Sequence, residues 1–429
     1  MVVVKPFKGI IYNKEKIGEL DKVMSPPYDI ISPEMQEELY RKHEYNVVRL
    51  ILGKVYPDDD ENNNRYTRAR KYFEEWLEKG ILVESDKPAI YPYKIDYECN
   101  GKKTFNGFFI LLKLDHEYKE VKAHERTLSK PKEDRLNLMR ATKANLEPIE
   151  LLYMDEKNEI QREIDKNLCE PEIDVIGYDG FRHRLWKIED ENLIAFIQEK
   201  LKKEILYIAD GHHRYQTSID YAKEIGAGEN DPENYIMVIL ANMFDEGLTI
   251  LPTHRLIKKD IDIKDLIERC KEYFDVEKIK INQDLSSEEV AKQITEAIKT
   301  DNEHRFAIYH GKGCYILTLK DESVMDSLAP DRSKTWRTLD VSILHKIVIE
   351  RIMGIGENEL ESCVKYTRDP KEAIEVVEKG KFNLSILMNP TKIEELKEVA
   401  SAGEHMPQKS TYFLPKMLSG LVMRRFYPH

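Results

Sequence analysis

The feature that most constrains this chain is a junction. Ile205 to Ala209 is a short apolar run that reads as a strand, and it runs into Asp210-Gly211-His212-His213-Arg214 at the head of a helix from Arg214 to Ile225. A strand that stops at Asp-Gly and opens directly into a helix turns at the glycine, because Gly211 tolerates backbone angles and close approaches that other residues forbid. The first amides of the helix then have no acceptor within it. Those donors, together with the helix dipole, favour an anion. Arg214 adds a planar fork matched to phosphate, and His212 or His213 adds a further donor. The junction therefore suits a polyphosphate. A plainer reading stands beside it: Asp210 caps the helix and the imidazoles pack or face water. Zinc fits less well, since adjacent His212 and His213 do not easily share one ion from a helix. The chain also has neither HExxH nor a matching cysteine set.

At 429 residues the chain is too long for one ordinary core. The expected organisation is an N-terminal α+β region over 1–115, a central module over 116–260 that carries the junction, and a C-terminal α+β region over 261–429. A formal net charge of −12 repels nucleic-acid backbones and anionic membranes, which argues against both as partners. No apolar run approaches the roughly 18 residues of a membrane span. Cys99, Cys169, Cys270, Cys314 and Cys363 are scattered without a CxxC pair, as expected in a reducing, cytoplasmic setting. The opening MVVVKPFKGII reads as a first strand rather than a signal peptide.

Along the chain, Ser32-Pro33-Glu34 caps a helix running to about Lys42, and Asn46 to Leu52 reads as a buried strand. Arg65 to Lys79 is helical, with Tyr72, Phe73, Trp76 and Leu77 on one face. Ala89 to Tyr97 and Lys103 to Leu114 form a hairpin around Asn100-Gly101. Glu150 to Met154, Phe181 to Ile188 and Tyr235 to Asn242 read as strands, and Asp190 to Lys203 as a helix. Beyond Ile261 helices alternate with strands, and Leu339 to Met353 carries an apolar stripe that suits a core helix.

A second polar cluster lies upstream. His124, Glu125, Arg126, Thr127, Lys130, Lys132, Asp134 and Arg135 crowd between a strand-like stretch and a helix. They read as a solvated charged loop or as a site with a carboxylate base and phosphate-neutralising cations. Three smaller motifs join the list of candidates. Tyr28 and Asp29 sit on the PPYD turn, where Asp29 binds an amino group or Mg²⁺ or simply stabilises the turn. His254 and Arg255 close LPTHR, lining a pocket or filling a core. Lys409, Ser410 and Thr411 open KSTYFLPK, which folds over a ligand with Lys409 on a phosphate or forms an edge strand with Pro at both ends.

The stretch DGHHRY resembles the nucleotide-binding turn of the ParB/sulfiredoxin fold, and DGHHR closely resembles its version in archaeal free-serine kinases. A wider set covers nearly the whole chain: KPFKG (Lys5 to Gly9), PPYD (Pro26 to Asp29), HERT…DRL (His124 to Leu136), ADGHHRY (Ala209 to Tyr215), LPTHR and KSTYFLPK. In this order they resemble the motifs of a large prokaryotic family, domain of unknown function number one thousand and fifteen. The resemblance implies an α+β fold with a ParB/sulfiredoxin-like central module. It implies ATP or ADP on Asp210, Gly211, His212, His213 and Arg214, with Mg²⁺ bridging the phosphates. It also places Glu125 as base for a substrate hydroxyl, with His124 and Arg126 beside it. The expected activity is phosphotransfer to a small hydroxyl compound, free L-serine first, in a protein that acts alone or as a homodimer. A nucleotide switch or regulatory protein without phosphotransfer and a phosphate-ester hydrolase are the alternatives.

Overall fold

The computed structural model describes residues 1–99, 101–123, 129–282, 284–300, 302–407 and 409–426. It is mixed α+β, as expected, but it divides into two compact units rather than three regions. The first unit holds Met1–Ala123, the described residues from Ser129 to Thr249, and a returning segment from Pro415. The second holds Ile250–Leu414.

The sheet of the first unit explains why no boundary falls at 115/116. Its strands are β1 (Val4–Lys5), β2 (Tyr91–Glu98), β3 (Lys102–Lys113), β4 (Val121–Lys122), β5 (Ile149–Tyr153), β6 (Ile173–Ile176), β7 (Arg182–Leu185), β8 (Leu206–Asp210) and β9 (Tyr235–Asn242). They line up as β4-β8-β5-β9-β3-β2-β7-β6, with β1 added on β3. The expected N-terminal and central regions thus share one ladder, in which β3 pairs antiparallel with β9 from Gly107 to Lys113. β2 and β3 form the hairpin read from the sequence.

Alternation along these strands sorts the side chains onto two faces. One face (Phe108, Ile110, Leu151, Val238 and neighbours) packs under two helices. These are the amphipathic Glu191–Leu201, capped by Asp190, and His212–Glu224, through Tyr215 and Ile219. On the other face Glu150, Ile239, Phe109 and Tyr91 stand in one cross-strand row. The returning segment runs against this face: the Leu418 amide reaches the Tyr93 hydroxyl at 3.5 Å, and Met423 bridges to Ile10.

Asn46 to Leu52 is a correction. Val48–Ile51 is a helical turn, not a strand. Asn46 accepts from the Val48 amide at 3.0 Å and donates to the Lys22 and Met24 carbonyls at 2.8 and 3.1 Å. A side chain that caps and anchors the turn overrides the β preference of the valines.

The second unit carries six antiparallel strands: β10 (His254–Ile257), β11 (Phe274–Ile279), β12 (Arg305–Tyr309), β13 (Cys314–Leu319), β14 (Val364–Thr367) and β15 (Leu384–Met388). Their order is β11-β13-β12-β15-β10-β14. Helices Ser287–Ile298 and Pro370–Glu378 bury one face, and the stripe around Leu344 buries the other. That stripe starts as α-helix over Asp340–Ile343 and continues with π spacing over Leu344–Ile352.

Candidate functional site

The junction is built as the residues require. β8 is buried through Ala209 and delivers Asp210 to its end. Gly211 takes the left-handed conformation, φ 92° and ψ 27°, and stands at the cap of the thirteen-residue helix His212–Glu224. A Cβ at this position would meet the Arg214 guanidinium at 3.1 to 3.2 Å, so Gly211 serves both the turn and the close approach. It brings no capping side chain, and the Tyr215 amide closes the first helical bond on the Gly211 carbonyl at 2.9 Å. The helix is pinned from behind, where the buried Tyr215 hydroxyl accepts from the Asp115 amide at 2.9 Å.

Asp210 is the hub. Its carboxylate accepts from Arg214 Nη2 at 2.7 Å and from Lys416 Nζ at 2.6 Å. Burial opposes its charge, but the Lys416 ammonium and the Arg214 guanidinium outweigh burial and hold the carboxyl well below the usual range. Arg214 also donates to the Pro148 carbonyl. Its fork is thus fixed by an acid and a backbone oxygen rather than left open, as the bare sequence suggested. His212 is buried and acts electrostatically on Asp210, and His213 is half-buried.

Around this hub lies a small hollow of about 20 Å³, room for roughly one water molecule. Glu147, Glu150, Asp210, Arg214, Lys416 and Ser419 contribute its polar wall. Glu150 faces Asp210 across the β5–β8 ladder and is 3% exposed. Burial pushes its carboxyl up to about 8, against the pull of Lys416. Glu147 accepts from Ser419 Oγ at 2.8 Å and from the Tyr28 amide at 3.2 Å. Arg135 stacks on the Tyr28 ring at 3.9 Å from its centroid and lies 3.7 Å from Glu147. Burial pushes the Tyr28 hydroxyl up to about 12. A second hollow of about 40 Å³ shares Glu147 and Arg214 as wall and adds Arg135. Asp29 is exposed on the same turn and acts on Arg214 through charge.

The motifs read from the sequence do not all converge here. Tyr28, Asp210, Gly211 and Arg214 do. His124, Glu125 and Arg126 lie outside the described residues. The described end of that cluster is a closed network in which Asp134 accepts from Tyr66 at 2.7 Å and from Arg135 at 2.6 Å, with Arg65 also paired to it. His254 and Arg255 lie in the interior of the second unit's sheet. Lys409, Ser410 and Thr411 also belong to the second unit. Lys409 is exposed at φ 57°, and Ser410 is buried, donating to the Pro407 carbonyl and accepting from Thr391 at 3.0 Å. Sequence reasoning passed over Glu147 and Glu150, and gave Lys416 no role. A signal for Glu150 was present: an acid inside a strand, IELLY, whose other residues are all apolar.

Chemically, the pocket offers two fixed cations, a glycine turn under a helix start, and three carboxyls, those of Glu147, Glu150 and Asp210. Among the described residues no group of three or more His, Cys, Asp or Glu side chains is set to hold a metal ion.

Comparison with known proteins adds the following. Curated proteins gave no match. Among solved structures, a free serine kinase in complex with AMP is 14% identical, with a TM-score of 0.34 over 72% of this chain and 87% of that one. A conserved hypothetical protein from Pyrococcus furiosus is 15% identical, with a TM-score of 0.31 over 72% and 90%. SbnI with a C-terminal truncation, from Staphylococcus aureus, is 11% identical, with a TM-score of 0.32 over 70% and 83%. The family model described as "Protein of unknown function (DUF1015)" matches residues 4–342, which span most of the chain, and the chain belongs to that family.

Proposed function

We propose that the first unit grips the polyphosphate of ATP or ADP at the Gly211 turn and passes a phosphoryl group to a small hydroxyl compound, with free L-serine the first acceptor to test. The observation that carries this reading is the junction itself. A left-handed glycine opens a long helix beside two cations, the half-buried Arg214 and the buried Lys416, held in place by Asp210. The likeness of DGHHR to the turn of free-serine kinases points the same way. The hollows are water-sized, so in this reading the phosphates lie on the Gly211 turn beside them rather than inside them.

In this reading the bound nucleotide supplies the phosphoryl group. The turn amides and Arg214 orient the phosphates, and Lys416 offsets charge that builds on them. Glu125 accepts the proton of the acceptor hydroxyl as its oxygen bonds phosphorus and the bond to the leaving phosphate oxygen breaks. Titration calorimetry with Mg-ATP and Mg-ADP tests the first half, with saturable binding of at least one expected. Phosphorus NMR of the same mixtures with a panel of amino acids and polyols tests the second. If neither nucleotide binds, the reading is wrong. If one binds and inorganic phosphate appears with no acceptor consumed, the protein is a hydrolase.

A further inference from the structure

Glu150 has no task in the reading above, yet it is the group most at odds with its surroundings. It is 3% exposed, it lines the hollow beside Asp210 and Lys416, and its Oε1 is buried without a hydrogen-bond partner. A buried carboxyl oxygen left without a partner costs free energy unless something in the hollow satisfies it. Charged and titratable groups act on it from several elements: Asp210 from β8, Arg214 from the helix, Lys416 from the returning segment and Tyr93 from β2, while Glu147 from the loop before β5 lines the same hollow. Two of the acids already take up the cations, Asp210 directly and Glu147 within reach of Arg135.

We propose that Glu150 takes up a proton when a polyphosphate anion binds at the neighbouring Gly211 turn, so that anion binding and proton uptake are a single event at alkaline pH. This rests on the phosphate reading of the same site. An incoming anion adds negative charge beside a poorly hydrated space already lined by Glu147 and Asp210. An ionised Glu150 would repel it, whereas a protonated Glu150 donates its O–H to a ligand oxygen or to the water of the hollow. Burial already pushes this carboxyl up to about 8, and a bound anion pushes it higher. Between the free and bound values the complex holds a proton that the free protein lacks. Affinity is therefore fully present below about pH 8 and falls as pH rises, by up to about tenfold per pH unit.

The test is titration calorimetry of the full chain with Mg-ADP and with inorganic pyrophosphate, in paired buffers of different ionisation enthalpy, from about pH 7 to about pH 9.5. Proton uptake is expected to be near zero at the lower end and to approach about one at the upper end. Glu150→Gln copies the shape of the protonated acid and should show neither the uptake nor the loss of affinity with pH. In the wild type, the infrared carbonyl band of a protonated carboxyl should fade over the same pH range and return when pyrophosphate is added. Binding without proton uptake, uptake that persists in Glu150→Gln, or a band that does not return overturns the proposal and leaves the phosphate reading standing. Failure of the wild type to bind either anion overturns both.

Discussion

The dipeptide His-Arg occurs four times, and the copies at 213–214 and 254–255 have opposite fates. Arg214 sits in the first turn of a helix, where its side chain reaches back four residues to Asp210. Its charge is matched by an acid within bonding distance, and both partners keep their ionised forms. Arg255 sits in the interior strand pair β10–β15, where alternation sends His254 and Arg255 to opposite faces. Arg255 is 3% exposed and meets the Thr253 carbonyl, the Met388 sulfur at 2.7 Å and the Tyr366 ring at 5.6 Å. Among the described residues no carboxylate pairs with it, and burial pushes its guanidinium down to about 10. Burial likewise pushes the His254 imidazole down to about 4, with Arg255 adding to the effect. His254 is a neutral core residue whose Nδ1 accepts from the Met388 amide at 3.3 Å. The same two residue types join a charged, hydrogen-bonded centre where a carboxylate is present and make a nearly inert packing pair where it is not.

The sharpest way to break this comparison is Asp210→Asn. It keeps the volume and leaves Arg214 and Lys416, 14% and 10% exposed, without their shared counter-charge. The expected cost is about 3 kcal/mol in a denaturant midpoint that reports on the first unit. A cost below about 1 kcal/mol would mean the hub is a surface ion pair after all. Next is Gly211→Ala, which forces a side chain into a left-handed conformation and against the Arg214 guanidinium. A loss of about 1 to 2 kcal/mol is expected, with a larger fractional loss of Mg-ADP affinity than of stability. The smallest effect is expected from Arg255→Met. It replaces a buried, uncompensated charge with a side chain of similar length and should shift stability by less than about 1 kcal/mol in either direction. If it costs as much as Asp210→Asn, the two arginines do not differ in the way their partners suggest.

Much of the fold was legible before any coordinates. The β2–β3 hairpin, the capped helices Pro33–Lys42 and Glu191–Leu201, and the strand–glycine–helix junction all follow from local signals, which act over a few residues and survive in any context. The helical turn at Val48–Ile51 was not legible, because the anchors of Asn46 are carbonyls more than twenty residues away. The same limit explains the site. Each motif looked functional by its composition, but composition does not say which sheet a residue joins.

The chain's own order of residues dictated the Gly211 turn and the helix start behind it, since backbone geometry at that point leaves no other inexpensive choice. Tertiary structure alone decided that Lys416, 206 residues further along, would bond Asp210 while the His-Arg pair of LPTHR went into the second unit's core. Local torsional preferences reach only a turn or two, whereas the pairing of charges depends on where distant segments are brought together and on how much water is left between them.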